Sequence, residues 1–477
     1  MLQNLSDFLS WAQGLRIAVV GAGISNRPLI KMLLTAGLEV QIFDRAPAEN
    51  LAPWREELEK QGLKASWSLG PNYLDRLQGF DLIFRTPIVR PDLAPLVAER
   101  KRGAIVTSEM EVFLQLCPAE VLGITGSDGK TTTSTLTALA LQTAGYKTWL
   151  GGNIGMPLLS SLPQIKAEDR VVVELSSFQL ISMSYSPQTS VITNLSPNHL
   201  DVHKDFAEYC EAKAQIFLHQ GFADRLILKG SDPLLQTFAA RAKGEVIWTE
   251  NRPFGEQKLF GLNQDVLYYQ GGSQTERERL LTRQDLCLPG RFNALNVLSA
   301  LAATDHLVRP DQRDQVLQAL ADFKGVEHRL QEIRTLDGVR YFDSSIDSSP
   351  TRSIASLSAF KEMGIPIYLI AGGKDKNLDY SDLGQQILAS CQRVYLCGQN
   401  ADLIAQAVRQ AQLDQPGVND PLTVSILPSY ADCLELARQD APAGSAVLLS
   451  PAGTSFDRFK NFEERGKVFQ ELVQALN

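Results

Sequence analysis

The chain has 477 residues, 44% hydrophobic and 21% charged, with 46 Lys+Arg against 54 Asp+Glu and a formal net charge of −8. That apolar fraction can bury real cores, which excludes wholesale disorder, and at roughly 100–200 residues per domain the length asks for about three domains or two large ones. A mildly acidic chain with no basic block is a poor binder of nucleic acid or anionic membrane, and no apolar run approaches the ~20 residues that span a bilayer.

The opening MLQNLSDFLSWAQG lacks the basic start and long apolar run of a signal peptide. The six cysteines form no CxxC pair, so neither a zinc ribbon nor a disulfide framework is indicated. The expectation is a soluble, cytoplasmic chain with free thiols, and no membrane insertion.

Short β-branched runs alternate with amphipathic stretches along the chain, the pattern of an α/β protein with mostly parallel sheets. RIAVVGAG (Arg16–Gly23) reads as a buried strand entering a glycine turn. RPLIKMLLTAG follows as a helix with Pro28 in its first turn and Gly37 just past its end. VQIFD is the next strand, ending on Asp44, and FDLIFRTP a later one. A second block opens at VLGITGSDGK (Val121–Lys130), with strands at RVVVELS, TSVITNLS and RLILKG, a hairpin and loop near Tyr269–Arg279, and a helix at NALNVLSALAATDHL. A third block begins near Gly325–Arg329 and holds the strands VRYFDSS, IPIYLIAGG, RVYLCG and SAVLLSPAG. The expected domains are 1–107, 108–325 and 326–477.

GSDGKTTT (Gly126–Thr133) sits between an apolar strand and a helix, which is the setting of a phosphate loop. Glycines admit backbone N–H groups to phosphate oxygens, and a helix start favours an anion. Lys130 would reach the terminal phosphates and Thr131 a Mg²⁺ ion; the spacing is G-x-x-G-K-T, shorter than the usual loop. GAGISNRP resembles a dinucleotide turn with Asn26 where the third glycine stands, and Asp44 about twenty residues on. It reads either as a tight strand–helix turn or as a diphosphate site with Asp44 or Arg45 near a sugar or base. Glu174 ends a strand and is either a Mg²⁺ ligand or an exposed acid. TNLSPNHLDVH carries two of the five histidines. Lys213 by itself reads as a solvated lysine, and Cys210, Cys287 and Cys391 as packing residues. Arg329 and Lys376 could each neutralise a phosphate or a carboxylate. Ser455 reads as a helix cap or part of an anion site.

Together TGSDGKTTT, GGNIG, ELSSFQL, TNLSPNHLD, EAKAQIF, GRFNALN, EHR and GGKDK resemble the Mur ligase family from about Arg16 to Gly466. SPAGTSFDRFKNFEERG is similar to the closing stretch of the branch that adds D-glutamate to UDP-N-acetylmuramoyl-L-alanine. The resemblance implies a UDP-binding α/β domain, a central P-loop ATPase with a mostly parallel sheet, and a C-terminal Rossmann-like domain, in a monomer. It implies that Gly126, Ser127, Asp128, Gly129, Lys130, Thr131 and Thr132 hold ATP, and that Thr131 and Glu174 hold one Mg²⁺. His199 and a carbamylated Lys213 would serve a second. Asn293, Asn296, Arg329 and Asp343 would touch the nucleotide, with Asp347 the less favoured acid. Ser25, Asn26, Asp44, Arg45 and Thr86 would line the uridine diphosphate site, Asn153 the muramoyl-peptide end, and Lys376, Ser455 and Phe462 the D-glutamate site.

The chain departs from the family pattern in having Thr86-Pro87-Ile88 for Ser-Pro-Gly, Phe292 for a frequent His, Asp128 for Asn, and DSSIDSSPTR for Asp-Ser-Lys-Ala-Thr-Asn. Competing readings are a folylpolyglutamate-type or other Mur-type ligase with a different amino acid or acceptor, a nucleotide-binding regulator, and an NAD-linked oxidoreductase.

Overall fold

The computed structural model describes residues 4–23, 25–154, 157–197, 202–273, 275–288, 290–375, 378–414 and 422–476. His199 and Lys376 therefore lie outside the described residues. The chain divides into two compact units, Met1–Thr282 with Leu295–Leu320, and Arg283–Ala294 with Ala321–Asn477.

The first unit holds two sheets. β1 (Ile17–Val20), β2 (Val40–Asp44), β3 (Ser66–Leu69), β4 (Leu82–Arg85) and β5 (Ile105–Thr107) form a sheet ordered β3-β2-β1-β4-β5, every pairing parallel. Strand order reverses between β1 and β4, so a crevice opens at their C-terminal ends. The second sheet comprises β6 (Glu120–Thr125), β7 (Thr148–Gly152), β8 (Arg170–Glu174), β9 (Thr189–Ile192), β10 (Arg225–Lys229), β11 (Glu245–Glu250), β12 (Leu259–Asn263), β13 (Val266–Gln270) and β14 (Glu278–Thr282). Its order is β14-β13-β12-β11-β10-β9-β6-β8-β7, parallel except for the β12–β13–β14 hairpins. The reversal here flanks β6, and its C-terminal end faces those of β8 and β9.

The second unit holds β15 (Gln331–Leu336), β16 (Val339–Asp343), β17 (Ile367–Ala371), β18 (Cys391–Leu396), β19 (Thr423–Ile426) and β20 (Ala446–Leu449), ordered β15-β16-β20-β17-β18-β19. β15–β16 is its antiparallel pair. The loops DSSID, GGKD and SPAG leave the C-terminal ends of β16, β17 and β20 and so share one edge.

The mixed, mostly parallel α/β architecture is the one the sequence pattern calls for. The strands named from the sequence are the apolar ones in the sheet interiors. β3, β7, β15 and β19 are edge strands with half-exposed residues and no apolar run to betray them. Two packing readings change. Cys287 is exposed, whereas Cys210 and Cys391 are buried. Ser455 does not cap a helix: the closing helix is Phe462–Gln474, and the Asn461 side chain caps it by accepting from the Glu464 N–H at 2.8 Å.

Leu448 is fully buried in β20, between Phe342 of β16 and Leu369 of β17. Leu448→Ala is expected to cost the second unit about 2–5 kcal/mol through lost burial and the cavity left behind. Amide exchange of β17 and β20 checks it; a loss under about 0.5 kcal/mol would mean that this core collapses freely around the gap.

Candidate active site

β6 ends at Thr125 and turns at Gly126, whose φ of +148° only glycine adopts without strain. A Cβ there would also collide with the Thr193 hydroxyl. Gly129, at φ +77°, starts the helix Lys130–Thr143, and a Cβ on it would come within 2.5 Å of Asn296 Oδ1. The loop between them is braced from β9: the Ser127 N–H donates to the Asn194 carbonyl at 3.0 Å and the Asp128 N–H to Asn194 Oδ1 at 3.0 Å. The Ser127 hydroxyl lies 2.9 Å from both Tyr209 Oη and the Ser196 carbonyl. Asn296, buried at its helix, accepts from the Thr133 hydroxyl at 3.2 Å. Thr132 is buried in the first turn, while Asp128 turns to solvent. The result is a rigid backbone cradle at the start of a 14-residue helix, the physical requirement for holding phosphate.

Five side chains meet around this cradle. Lys130 Nζ donates to the carbonyls of Gly126 at 3.0 Å and Ser127 at 2.9 Å. The Thr131 hydroxyl donates to Glu174 Oε2 at 2.8 Å, and Asn153 Nδ2 to Glu174 Oε1 at 2.8 Å. Glu174 is thus a buried, fully engaged carboxylate rather than an exposed strand-end acid. Lys213, on the helix Phe206–Leu218, is also buried, which overturns its reading as a solvated lysine. Its amine lies 2.7 Å from the Gly126 carbonyl, 3.3 Å from Thr125 Oγ1 and 4.7 Å over the Tyr209 ring. Burial, and then the charge of Lys130, push its pKa well below the ordinary lysine value, against the pull of Glu174 and Asp128.

The Thr131 hydroxyl and Glu174 carboxylate are hard oxygen donors on one side of the cradle, the ligand chemistry Mg²⁺ takes beside phosphates. The bare Lys213 amine is not such a donor. Among the described residues no group of three His, Cys, Asp or Glu could hold a metal ion. His203, one of the two histidines of TNLSPNHLDVH, is no surface group: it is buried 2.9 Å from the Ser177 hydroxyl and stacked on Phe178 at 5.5 Å. Burial holds its pKa down, so it serves packing as a neutral ring.

At the first sheet, Gly21 has φ +98° and a Cβ on it would meet the Thr86 methyl at 2.5 Å. Asn26 is buried and donates to the Gly21 carbonyl at 2.9 Å, so the residue in place of a third glycine ties the turn down from within. Asp44 accepts from the Ala22 N–H at 2.6 Å and the Ala46 N–H at 2.7 Å, closing over the same turn. Ser25 precedes the helix Asn26–Thr35 without capping it, and Arg45 is exposed.

In the second unit Asp343 is fully buried and accepts from His328 Nδ1, Gln470 Nε2 and the Ser345 N–H at 2.8, 2.8 and 2.7 Å. Asp347 accepts from Ser356 and Ser450 hydroxyls at 2.7 and 2.8 Å. Both acids are therefore engaged within the protein. Arg329 is half-buried and its N–H donates to the Val326 carbonyl at 2.9 Å; Asn293 is buried. Phe462 opens the closing helix with its ring edge-on to His328 at 6.2 Å, and Ser455 is buried. Two organising residues were not named as site residues from the sequence, although Arg465 closes the quoted SPAGTSFDRFKNFEERG stretch. Asn400 accepts from the Gly373 N–H at 2.7 Å and donates to Tyr380 Oη at 3.0 Å. The fully buried Arg465 donates to the Gly453 and Ser345 carbonyls at 2.9 and 2.7 Å. A buried Arg or Asn that stitches loops looks, in sequence, like any polar surface residue.

A phosphate loop at the switch point of a central sheet, with further α/β sheets before and after it in the chain, is the frame of a nucleotide-dependent enzyme. Residues 124–304 match the Mur ligase middle domain, and residues 328–453 the Mur ligase glutamate ligase domain. Over its whole length the chain is 43% identical to the full UDP-N-acetylmuramoylalanine--D-glutamate ligase of Ruminiclostridium cellulolyticum. It is also 43% identical, end to end, to the enzyme of that name from Acetivibrio thermocellus. Among solved structures it resembles UDP-N-acetylmuramate-alanine ligase from Thermotoga maritima, with TM-score 0.56 and 19% identity over 97% of this chain and 99% of that one. MurF from Acinetobacter baumannii gives TM-score 0.58 and 16% identity over 95% and 90%. The chain belongs to the Mur ligase family, and is a ligase that uses ATP.

Gly126→Ala places a side chain on the Thr193 hydroxyl at a backbone angle that favours glycine. It is expected to weaken ATP binding at least about tenfold through the displaced cradle. Titration with a fluorescent ADP analogue checks this, and unchanged affinity in the folded variant would remove the loop from the nucleotide site.

Proposed function

We propose that this chain joins D-glutamate to the L-alanyl carboxylate of UDP-N-acetylmuramoyl-L-alanine, at the cost of ATP, in the cytoplasmic synthesis of peptidoglycan precursor. The observation that carries the ligase chemistry is the buried Lys213 amine beside the Thr131–Glu174 pair under the glycine loop. The choice of substrates follows the full-length relatives of that name. No helix among the described residues is long and apolar enough to cross a membrane.

On this reading the substrate carboxylate attacks the terminal phosphorus of ATP, giving an acyl phosphate and ADP. The neutral amine of D-glutamate then adds to the acyl carbon. The tetrahedral intermediate loses a proton and expels inorganic phosphate, leaving the amide. The backbone from Gly126 to Thr132 cradles the phosphates, and the Lys130 ammonium, released from its own loop carbonyls, neutralises charge on the transferred group. Asn296 and, from the second unit, Asn293, Arg329 and Asp343 serve the nucleoside and phosphates. Thr131 and Glu174 would hold Mg²⁺, with His199 and carbamylated Lys213 at a second site; the ion, when bound, offsets phosphoryl charge.

Carbamylation consumes CO₂ and releases one proton from the amine, giving a buried anion with the oxygen donors that Mg²⁺ prefers. A lysine whose pKa is lowered offers the free base this step needs. Ser25, Asn26, Asp44, Arg45 and Thr86 bind the uridine diphosphate portion, and Asn153 the peptide end. Lys376, Ser455 and Phe462 receive D-glutamate. The domain limits proposed are 1–107, 108–325 and 326–477, in a monomer.

Product formation with ATP, UDP-N-acetylmuramoyl-L-alanine and one amino acid at a time tests the assignment. D-Glutamate is expected to exceed L-glutamate, L-lysine and meso-diaminopimelate by at least about 100-fold, because misplacing the attacking amine by about 1 Å costs that much. Preference for another amino acid would overturn the substrate while leaving the ATP chemistry in place.

A further inference from the structure

A crevice within the first unit is lined by Ser25, Asn26, Arg85, Glu109, Gly152 and Gln179, together with Pro87 and Met110. One end lies at the start of the helix that follows the Gly21 turn. The other adjoins Asn153, which holds Glu174. The crevice has a cavity volume of about 20 Å³, room for little more than a water; if the proposed function is right, on which this inference rests, the acylated amino-sugar of the substrate passes over its mouth between these ends. Its diphosphate then lies at the first and its reacting carboxylate reaches the second.

Glu109 is the first residue of the helix Glu109–Leu116 and is 6% exposed. Its Oε1 accepts from the Leu159 N–H at 2.8 Å. Its Oε2 has no hydrogen-bond partner among the described residues. Glu111, two residues on, shows what a structural carboxylate does in the same helix: it accepts from the Thr107 hydroxyl at 2.9 Å and the Ser184 N–H at 2.8 Å, one on each oxygen. That oxygen is not among the buried unpartnered atoms, so it opens to the crevice that Glu109 lines, and a neutral amide would serve the Leu159 contact equally well.

We propose that Glu109 is a specificity-determining residue of the nucleotide-sugar site, whose free carboxylate oxygen accepts a hydrogen bond from an N–H or O–H of the acylated amino-sugar segment between the diphosphate and the reacting carboxylate.

The surroundings leave the charge to the ligand. Arg85 is the charged side chain that lines the crevice with Glu109, but its guanidinium is committed to the carbonyls of Val89 at 3.0 Å, Pro87 and Phe178 at 3.3 Å, and to the Ser182 hydroxyl at 2.8 Å. The 3₁₀ segment Leu159–Gln164 and the turn of helix Ser177–Leu180 carry no titratable group. On the helix Asn26–Thr35, Arg27 stacks on Trp54 and Lys31 is exposed. Burial holds the Glu109 carboxyl up to about 7. The ionised form is the acceptor, so a bound donor lowers this value and binding releases a proton. Affinity for the nucleotide sugar therefore falls as pH drops below about 7 and levels off above it.

The test is steady-state kinetics of the wild type, Glu109→Gln and Glu109→Ala with ATP, D-glutamate and UDP-N-acetylmuramoyl-L-alanine between about pH 6 and 9. Glu109→Gln is expected to raise KM for the nucleotide sugar about tenfold, the scale of one hydrogen bond to a charged acceptor. It should leave KM for ATP and D-glutamate within about twofold, and flatten the acid limb of kcat/KM that the wild type shows. Calorimetry of nucleotide-sugar binding in two buffers of different ionisation enthalpy should show proton release in the wild type and none in Glu109→Gln. An unchanged KM and acid limb in Glu109→Gln overturns the proposal, even if Glu109→Ala loses stability, because Glu109 then only ties its helix to Leu159. A wild type that forms no product with this substrate overturns the functional reading, and this proposal with it.

Discussion

The carbonyl of Gly126 accepts from two lysines, Lys130 at 3.0 Å and Lys213 at 2.7 Å. Two ammonium groups sharing one carbonyl repel, and the repulsion is strong where water is scarce. Lys213 is fully buried, and burial together with the charge of Lys130 draws its pKa well below the ordinary lysine value. The site thus sets two lysines around a single backbone carbonyl, the buried one with its pKa lowered. That pairing needs Gly126 at φ +148°, since any side chain there would force the loop off Thr193 and move the carbonyl.

Sheet topology delivers the partners. Parallel strands place all their C-terminal ends on one edge, and the reversal beside β6 separates the loops enough to admit a ligand. β8 brings Glu174, β7 ends in Gly152 whose φ of +98° lets Asn153 reach it, and β9 supplies Thr193 and Asn194 as bracing. The first sheet repeats the device with Gly21, Asn26 and Asp44, and the third with the strand-end loops stitched by Asn400 and Arg465. In each sheet a buried polar side chain holds the loop, so the backbone N–H groups are already oriented when an anionic substrate arrives.

Much of this was legible in the sequence, for physical reasons that differ by element. β6, β8, β9, β17 and β20 are apolar because both faces are covered, and they announce themselves. The glycines at 126 and 129 sit between such a strand and a helix, which is why the loop could be placed. Lys213 could not be judged from its neighbours: EAKAQIF has the periodicity of any amphipathic helix, and the direction of the lysine depends on helix packing against Thr125 and Tyr209. Family resemblance, not local pattern, singled it out. Edge strands such as β15 and β19 stayed hidden because half-exposed residues blur their alternation, and Asn400 and Arg465 because nothing local marks a polar residue for burial. Glu109 and Glu111 look alike in SEMEVF, and the structure separates them by what each oxygen meets.

The account turns on Lys213 acting as a buried base that becomes a carbamate. The direct measurement is carbon-13 NMR of the active enzyme in labelled bicarbonate with Mg²⁺, ATP and UDP-N-acetylmuramoyl-L-alanine. A protein-bound carbamyl resonance present in the wild type, absent in Lys213→Ala, and lost together with activity when CO₂ is removed is the predicted result. Full activity in CO₂-free buffer with no such resonance would contradict it, and would leave Lys213 as a buried amine that only buttresses the Gly126 carbonyl.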